Sequence, residues 1–225
     1  GGSYNLYEGD HFGEIIWAQY AVDIEENHRY YFGQARKSDA SGFAKATYQL
    51  NDEISLYGDF QYRHVDYKTT GTGSDRAAFE IDKTYNFINP KVGISVNLNK
   101  ANNLYASYAR ANREPSRTDF ENGPDIKPEQ LNDFELGYRY NTKNLRFNVN
   151  GYLMYYNDQL VLTGAIDDVG APIRTNAGEG YRAGVELEGV LALSEKVSLQ
   201  ANLTLSRNRN LNEGQFLNGE EFSQG

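Results

Sequence analysis

The run Val197-Ser-Leu-Gln-Ala-Asn-Leu-Thr-Leu-Ser206 decides the fold. Its odd positions, Val197, Leu199, Ala201, Leu203 and Leu205, are apolar or small. Its even positions, Ser198, Gln200, Asn202, Thr204 and Ser206, are polar. A period of two marks a strand with one apolar and one polar face. Back across Ser194-Glu195-Lys196 lies a second alternating run. Folding the two about that turn sets Leu193 opposite Val197, Leu191 opposite Leu199 and Leu187 opposite Leu203. Every apolar pair then shares a face, and a slip of one residue would send each to the wrong side.

The same pattern recurs upstream. Ile54, Leu56, Gly58, Phe60 and Tyr62 alternate with Ser55, Tyr57, Asp59, Gln61 and Arg63. Leu145, Phe147, Val149, Gly151 and Leu153 alternate with Arg146, Asn148, Asn150 and Tyr152. Tight turns rich in turn-forming residues join the strands in pairs, at Asn51–Glu53, Asn99–Ala101, Thr142–Lys143 and Ser194–Lys196. The other connections read as long loops, over 68–84, 111–130 and 157–178, with another beginning after Asn208. Pro115, Pro124, Pro128 and Pro172 lie in or beside them. Pro90 falls near a strand start, where a missing N–H is tolerable.

Short turns at one end and long loops at the other are the layout of an up-and-down membrane barrel. A strand of about 12 residues spans about 40 Å, and at a tilt of roughly 45° rises about 28 Å, enough for the hydrocarbon core. The expected fold is all-β: an antiparallel up-and-down transmembrane β-barrel segment of about eight strands.

Composition agrees. Tyr (18), Phe (11) and Trp (1) make up 13% of 225 residues, as suits rings that are half wet and half apolar. The formal net charge of -9 lacks the basic face of a nucleic-acid binder. The absence of cysteine excludes disulfides, Cys-ligated zinc and a cysteine nucleophile. A mean hydropathy of -0.70 is no obstacle, because a barrel strand shows lipid only at every second residue.

The polar face carries charge. Lys45 falls opposite Asp59 across the first turn, and Arg63 shares their face. Glu186 and Glu188 lie on one face with Arg182, as ion-pair partners. Within a bilayer these six must point into a wet lumen. The apolar face is expected to be free of charge until strand ends such as Arg110, where snorkelling is possible.

Four strings, in this order and spacing, carry a family resemblance. They are Gly9–Glu14 (GDHFGE), Leu104–Arg117 (LYASYARANREPSR), Lys127–Tyr138 (KPEQLNDFELGY) and Asn176–Glu188 (NAGEGYRAGVELE). Together on the hairpin pattern they resemble the barrel of TonB-dependent outer-membrane receptors over nearly the whole chain. The resemblance implies a larger barrel of about 22 strands around a plug. It also implies import of a scarce ligand, most simply a ferric siderophore or similar chelate, and energy delivered by the TonB complex through the plug. It places the chain in a Gram-negative cell outer membrane, in contact with lipid, without an enzymatic cofactor. On this reading residues 1–225 are an internal part of the barrel domain, without the plug and the C-terminal strands. In haem-importing members a Phe-Arg-Ala-Pro string and an Asn-Pro-Asn-Leu string flank a loop histidine. The aligned positions here are Asn112–Pro115 and Gly123–Ile126, and no histidine lies between, which argues against haem.

Candidate ligand-binding residues lie on the long connections. Arg113, Arg117 and Arg174 offer charge and planar hydrogen bonding to an anionic chelate. Trp17, Tyr30, Tyr31 and Phe120 offer rings for stacking. Asp119, Asp167 and Asp168 add to the loop charge. Asp10, His11, Glu14 and His28 match no defined metal motif, so no metal site is expected. Glu186 and Glu188 lie beside Arg182 rather than astride a substrate bond, so no catalysis is expected. Competing functions are a glycan or cobalamin importer of the same family, a small non-transport barrel adhesin, and a soluble carbohydrate-binding β-domain.

Overall fold

The computed structural model describes residues 1–20, 27–73, 78–121, 125–166, 172–211, 214–217 and 220–223. Asp167, Asp168, Gly123 and Pro124 lie outside them. Nine strands form one antiparallel sheet: β1 (Gly2–Glu14), β2 (Arg29–Gln49), β3 (Ile54–Thr72), β4 (Ala78–Asn97), β5 (Asn102–Arg113), β6 (Glu129–Asn141), β7 (Leu145–Asn157), β10 (Gly180–Ser194) and β11 (Val197–Asn210). The expectation was about eight. Sheet neighbours follow chain order except at one step from β7 to β10. That step contains a separate hairpin, β8 (Leu160–Ile166) with β9 (Pro172–Asn176). A second hairpin, β12 (Gly214–Leu217) with β13 (Glu220–Ser223), follows β11, and a five-residue helix, α1 (Arg117–Glu121), lies between β5 and β6.

The tight turns fall where the sequence puts them. Asn51 Oδ1 accepts from the backbone N–H of Glu53 at 2.9 Å and of Ile54 at 2.8 Å. Asn99 Oδ1 does the same for Ala101 at 2.9 Å and Asn102 at 3.1 Å. These are side-chain-closed turns. Each turn also touches the next: Asn97 N–H donates to Glu53 O, Asn141 N–H to Ala101 O and Ala192 N–H to Asn144 O. All four therefore lie at one end of the sheet.

The fourth turn corrects one expected pairing. Leu191 meets Leu199 and Leu187 meets Leu203, but Val197 pairs with Ser194, not with Leu193. The turn has only two residues, Glu195 and Lys196. Leu193 is bulged out, and that one extra residue restores the register the apolar pairs demand.

Register divides the sheet into two faces. Leu56, Phe60, Val149, Leu153, Val185, Leu187, Leu199 and Leu203 fall on one. Lys45, Asp59, Arg63, Arg182, Glu186 and Glu188 fall on the other. On β3 the apolar run from Ile54 to Tyr62 measures about 26 Å along the strand, which at a tilt of roughly 45° rises about 19 Å, most of the band of about 25 Å on barrel exteriors. Its side chains are open, with Phe60 51% and Leu203 51% exposed.

Beyond that belt the expectation of long loops fails in part. Strands β2, β3 and β4 run for 21, 19 and 20 residues, so most of 68–84 is ladder and not loop. The connections over 111–130 and 157–178 likewise contain the end of β5, α1, β8 and β9. The apolar face is also not free of charge up to its strand ends. Past Tyr62 it carries His64, Asp66 and Lys68, with Lys68 Nζ 2.9 Å from Asp82 and Arg36 Nε 3.1 Å from Glu8. A ladder needs only paired N–H and C=O groups, and those persist where both faces are wet.

Pro90 is not near a strand start. It sits inside β4, opposite Phe60, and the β4–β5 ladder ends one residue before it, at Lys91 with Ala109. Leu98 N–H donates toward β5 and Asn97 N–H toward β3, so even positions of β4 face β5. The nitrogen that Pro90 lacks a hydrogen on is thus the one that would extend the ladder, and the two strands part there.

Candidate functional site

The connection that leaves β5 folds onto the polar face of the sheet. Its first residue, Glu114, has a side chain only 9% exposed. Arg63 Nη1 donates to Glu114 Oε2 at 2.7 Å and Nη2 to Oε1 at 2.8 Å. Lys37 Nζ donates to Oε1 at 2.7 Å. The same guanidinium is held from behind by Asp39, whose Oδ1 and Oδ2 each lie 3.1 Å from Arg63 Nε, with Nη2 2.6 Å from Oδ2. Burial alone would push the Glu114 carboxyl up. The hydrogen bonds from Arg63 and Lys37 outweigh it and hold the group down at about 2.

The helix that follows is tied down in turn. Ser116 N–H and Ser116 Oγ both donate to Asp119 Oδ2 at 2.7 Å, the three-residue spacing of a capping box. Asp119 is 3% exposed, and its Oδ1 lies 3.6 Å from Arg174 Nη1 on β9. Phe120 is buried, with Lys83 Nζ 5.9 Å from its ring centre. The Arg117 guanidinium lies 4.9 Å from the ring centre of Phe79. The wall here is the most enclosed part of the chain: Val65 is 0% and Thr69 1% exposed, with Ala35, Ile81 and Phe87 also buried. Among the described residues Thr69 Oγ1 has no hydrogen-bond partner.

The far end of the connection is clasped by the β8–β9 excursion. Asn176 accepts from Lys127 N–H at 2.8 Å and donates to Lys127 O at 3.0 Å and Asp158 O at 2.7 Å. Leu160 N–H donates to Glu129 Oε2 at 2.9 Å, and Arg113 Nη2 lies 3.5 Å from Glu129 Oε1. The described residues of this connection, 114–121 and 125–128, are therefore a strap pinned at Glu114 to the wall and at Lys127 to the neighbouring excursion.

Of the residues singled out from sequence, Arg117, Asp119, Phe120 and Arg174 come together around this strap. Trp17 stands apart and is 77% exposed; Tyr30 and Tyr31 meet edge to face at 5.1 Å beside β1. Lys45 Nζ is 3.3 Å from Asp59. Arg182 differs from the expected ion pairing. Its guanidinium lies 5.1 Å from the ring centre of Tyr156, and among the described residues no ion pair joins it to Glu186 or Glu188. Arg182 and Glu186 instead line one shallow cleft with Glu135, Tyr152 and Asn208. Asp10 and His11 are consecutive in β1 and so point to opposite faces, while Glu14 pairs with Arg29 at 3.0 Å.

Lys37, Asp39 and Glu114 were not singled out from sequence. Glu114 is 51 residues from Arg63 and 77 from Lys37, and no local pattern links them.

The chain matches the family described as TonB dependent receptor-like, beta-barrel, over residues 1–224, and it belongs to that family. Solved structures resemble it at low identity. The copper transporter OprC is 20% identical, with a TM-score of 0.67, over 80% of this chain and 30% of that one. The ferric yersiniabactin uptake receptor FyuA from Yersinia pestis is 18% identical, with a TM-score of 0.64, over 85% and 30%. The ferric-catecholate import receptor Fiu from K12 E. coli is 16% identical, with a TM-score of 0.62, over 92% and 34%. Each match spans about a third of the solved chain. A search of curated protein sequences finds no significant match.

Proposed function

We propose that this chain is part of the barrel wall of an outer-membrane receptor that imports a scarce ligand, a ferric siderophore or similar chelate. The observation that carries the reading is the pairing of two unlike faces. One bears an apolar belt, and the other is polar, charged and crossed by a folded connection. A wall of that kind separates lipid from a wet lumen. The family supplies the rest: a plug inside the complete barrel, on which the TonB complex acts.

The solved structures it resembles include a copper transporter, a ferric yersiniabactin uptake receptor and a ferric-catecholate import receptor, which favours a metal or its chelate over a glycan or cobalamin. Arg113, Arg117 and Arg174 are assigned to attract the anionic chelate, and Trp17, Tyr30 and Tyr31 to stack on it. Asp119 and Phe120 hold the strap that carries Arg117. A chain built only to anchor or adhere has no need of a connection folded inward, which disfavours the adhesin.

The test is growth of a strain lacking the gene, on single sources of iron, cobalamin and glycan. Loss confined to one or more ferric siderophores is expected. Normal growth on every iron source, with loss on cobalamin or a glycan, would assign the alternative importer. Changing Arg113 and Arg117 together to Ala should lower affinity about tenfold or more, as lost charge-assisted contacts do.

A further inference from the structure

We propose that Glu114 is a resident occupant of an anion subsite in the lumen wall, formed by Arg63 and Lys37, and that a carboxylate of an arriving ligand takes its place and frees the strap. The ligand half rests on the function proposed above; the subsite itself does not.

The geometry is that of a built site. One carboxylate receives three charge-assisted hydrogen bonds, two from the fork of Arg63 and one from Lys37, all at 2.7–2.8 Å. That planar two-point grip is how a guanidinium recognises any carboxylate. Asp39 holds Arg63 through Nε as well as Nη2, so the fork stays aimed when Glu114 leaves. With Glu114 in place, two cations meet two carboxylates and the cluster is neutral. Without it one positive charge is uncompensated in a partly desolvated wall, where an unpaired charge is costly. The vacated site therefore demands an anion.

The occupant is also one that can leave. Glu114 belongs to the connection and not to the ladder, since β5 ends at Arg113. The helix behind it has five residues, too short to stand alone. Phe87 stands opposite Arg63 and stacks on Tyr85 at 5.6 Å, giving an aromatic flank to whatever enters. A carboxylate borne on an aryl or other planar group fits that pair.

Chemical rescue tests the subsite without knowing the ligand. The complete receptor in detergent is prepared with Glu114→Ala and Glu114→Gln, and acetate is the probe. Acetate should raise the melting temperature saturably in Glu114→Ala, less in Glu114→Gln, and not in wild type at equal ionic strength. Amide exchange over 116–121 should accelerate in both variants. It should stay fast in acetate, because a free anion fills the site without retying the chain. Glu114→Gln keeps the side chain's shape and carries the test if the alanine variant fails to assemble. An acetate effect no larger in the variants than in wild type would overturn the proposal, and so would exchange that does not change. Acetate is not the transported ligand. A positive rescue beside a negative iron-growth assay would therefore retain the subsite and reject the siderophore.

Discussion

Asn112 donates its side-chain amide to the backbone carbonyl of Ile88 at 3.3 Å and to Asn89 Oδ1 at 2.8 Å, across the gap that opens beyond Pro90. A side chain thus closes a seam that the backbone ladder leaves open. The cause is Pro90, whose ring nitrogen faces β5 with no hydrogen to give. Pro90→Val restores a donor aimed at the Arg110 carbonyl and should extend the ladder by one rung. Amide exchange in the complete receptor checks it: the new N–H at position 90 should be protected to the level of Val92. Exchange as fast as at a free strand edge would show that something other than proline parts the strands.

The faces and the turns were legible in the sequence because both are local. Alternation assigns Leu187 and Glu188 to opposite sides without reference to any other strand, and Asn51 and Asn99 close their own turns. The strand lengths were not. Once Lys68, Asp66 and Asp82 occupy the outer face, both faces of β3 and β4 are wet and the contrast that marks a strand vanishes, although the ladder continues. The strap was hidden for another reason. Arg63 could be placed on the polar face, but Glu114 reaches it only because a connection read as a long loop folds inward onto the sheet.

Leu187 and Glu188 are adjacent and should respond oppositely to charge. Leu187 is in the belt, flanked by Val149 and Leu203. Leu187→Arg should cost about 2–4 kcal/mol, the penalty for a cation near the middle of a bilayer. Glu188→Gln should change stability by no more than about 0.5 kcal/mol, as a substitution on a wet wall. Denaturant unfolding of the complete receptor in lipid vesicles measures both. Equal costs at the two positions would mean the faces are misassigned.

The 225-residue chain by itself should not behave as a soluble monomer. Its sheet ends at β1 on one side and β11 on the other, each a row of unpaired N–H and C=O groups. It also exposes Leu136, Leu199 and Leu205 at 65%, 58% and 64%. Size exclusion without detergent should give aggregates or void-volume material. A sharp monomer peak with cooperative melting would contradict the membrane reading of the belt.

Glu114 makes the strap sensitive to acid, with a defined sign. Its carboxyl is held at about 2 in the folded protein, below the ordinary 4.5. A depressed carboxylate contributes stability that is fully present above its unfolded value and lost as pH falls through the folded one. The contribution is therefore complete at pH 7 and declines from about pH 4.5 towards pH 2. Its full size is on the order of 3 kcal/mol. Other carboxylates titrate over the same range, so the informative quantity is the difference between wild type and Glu114→Gln. That variant should be less stable at pH 7, read by melting or by exchange over 116–121. By pH 3 the difference should shrink to roughly half, because the unfolded carboxyl is then protonated while the folded one still is not. A gap that stays constant from pH 7 to pH 3 would mean that Arg63 and Lys37 do not hold Glu114 as an anion, and the strap would have to be pinned by its other contacts, Asp119 with Arg174 and Lys127 with Asn176.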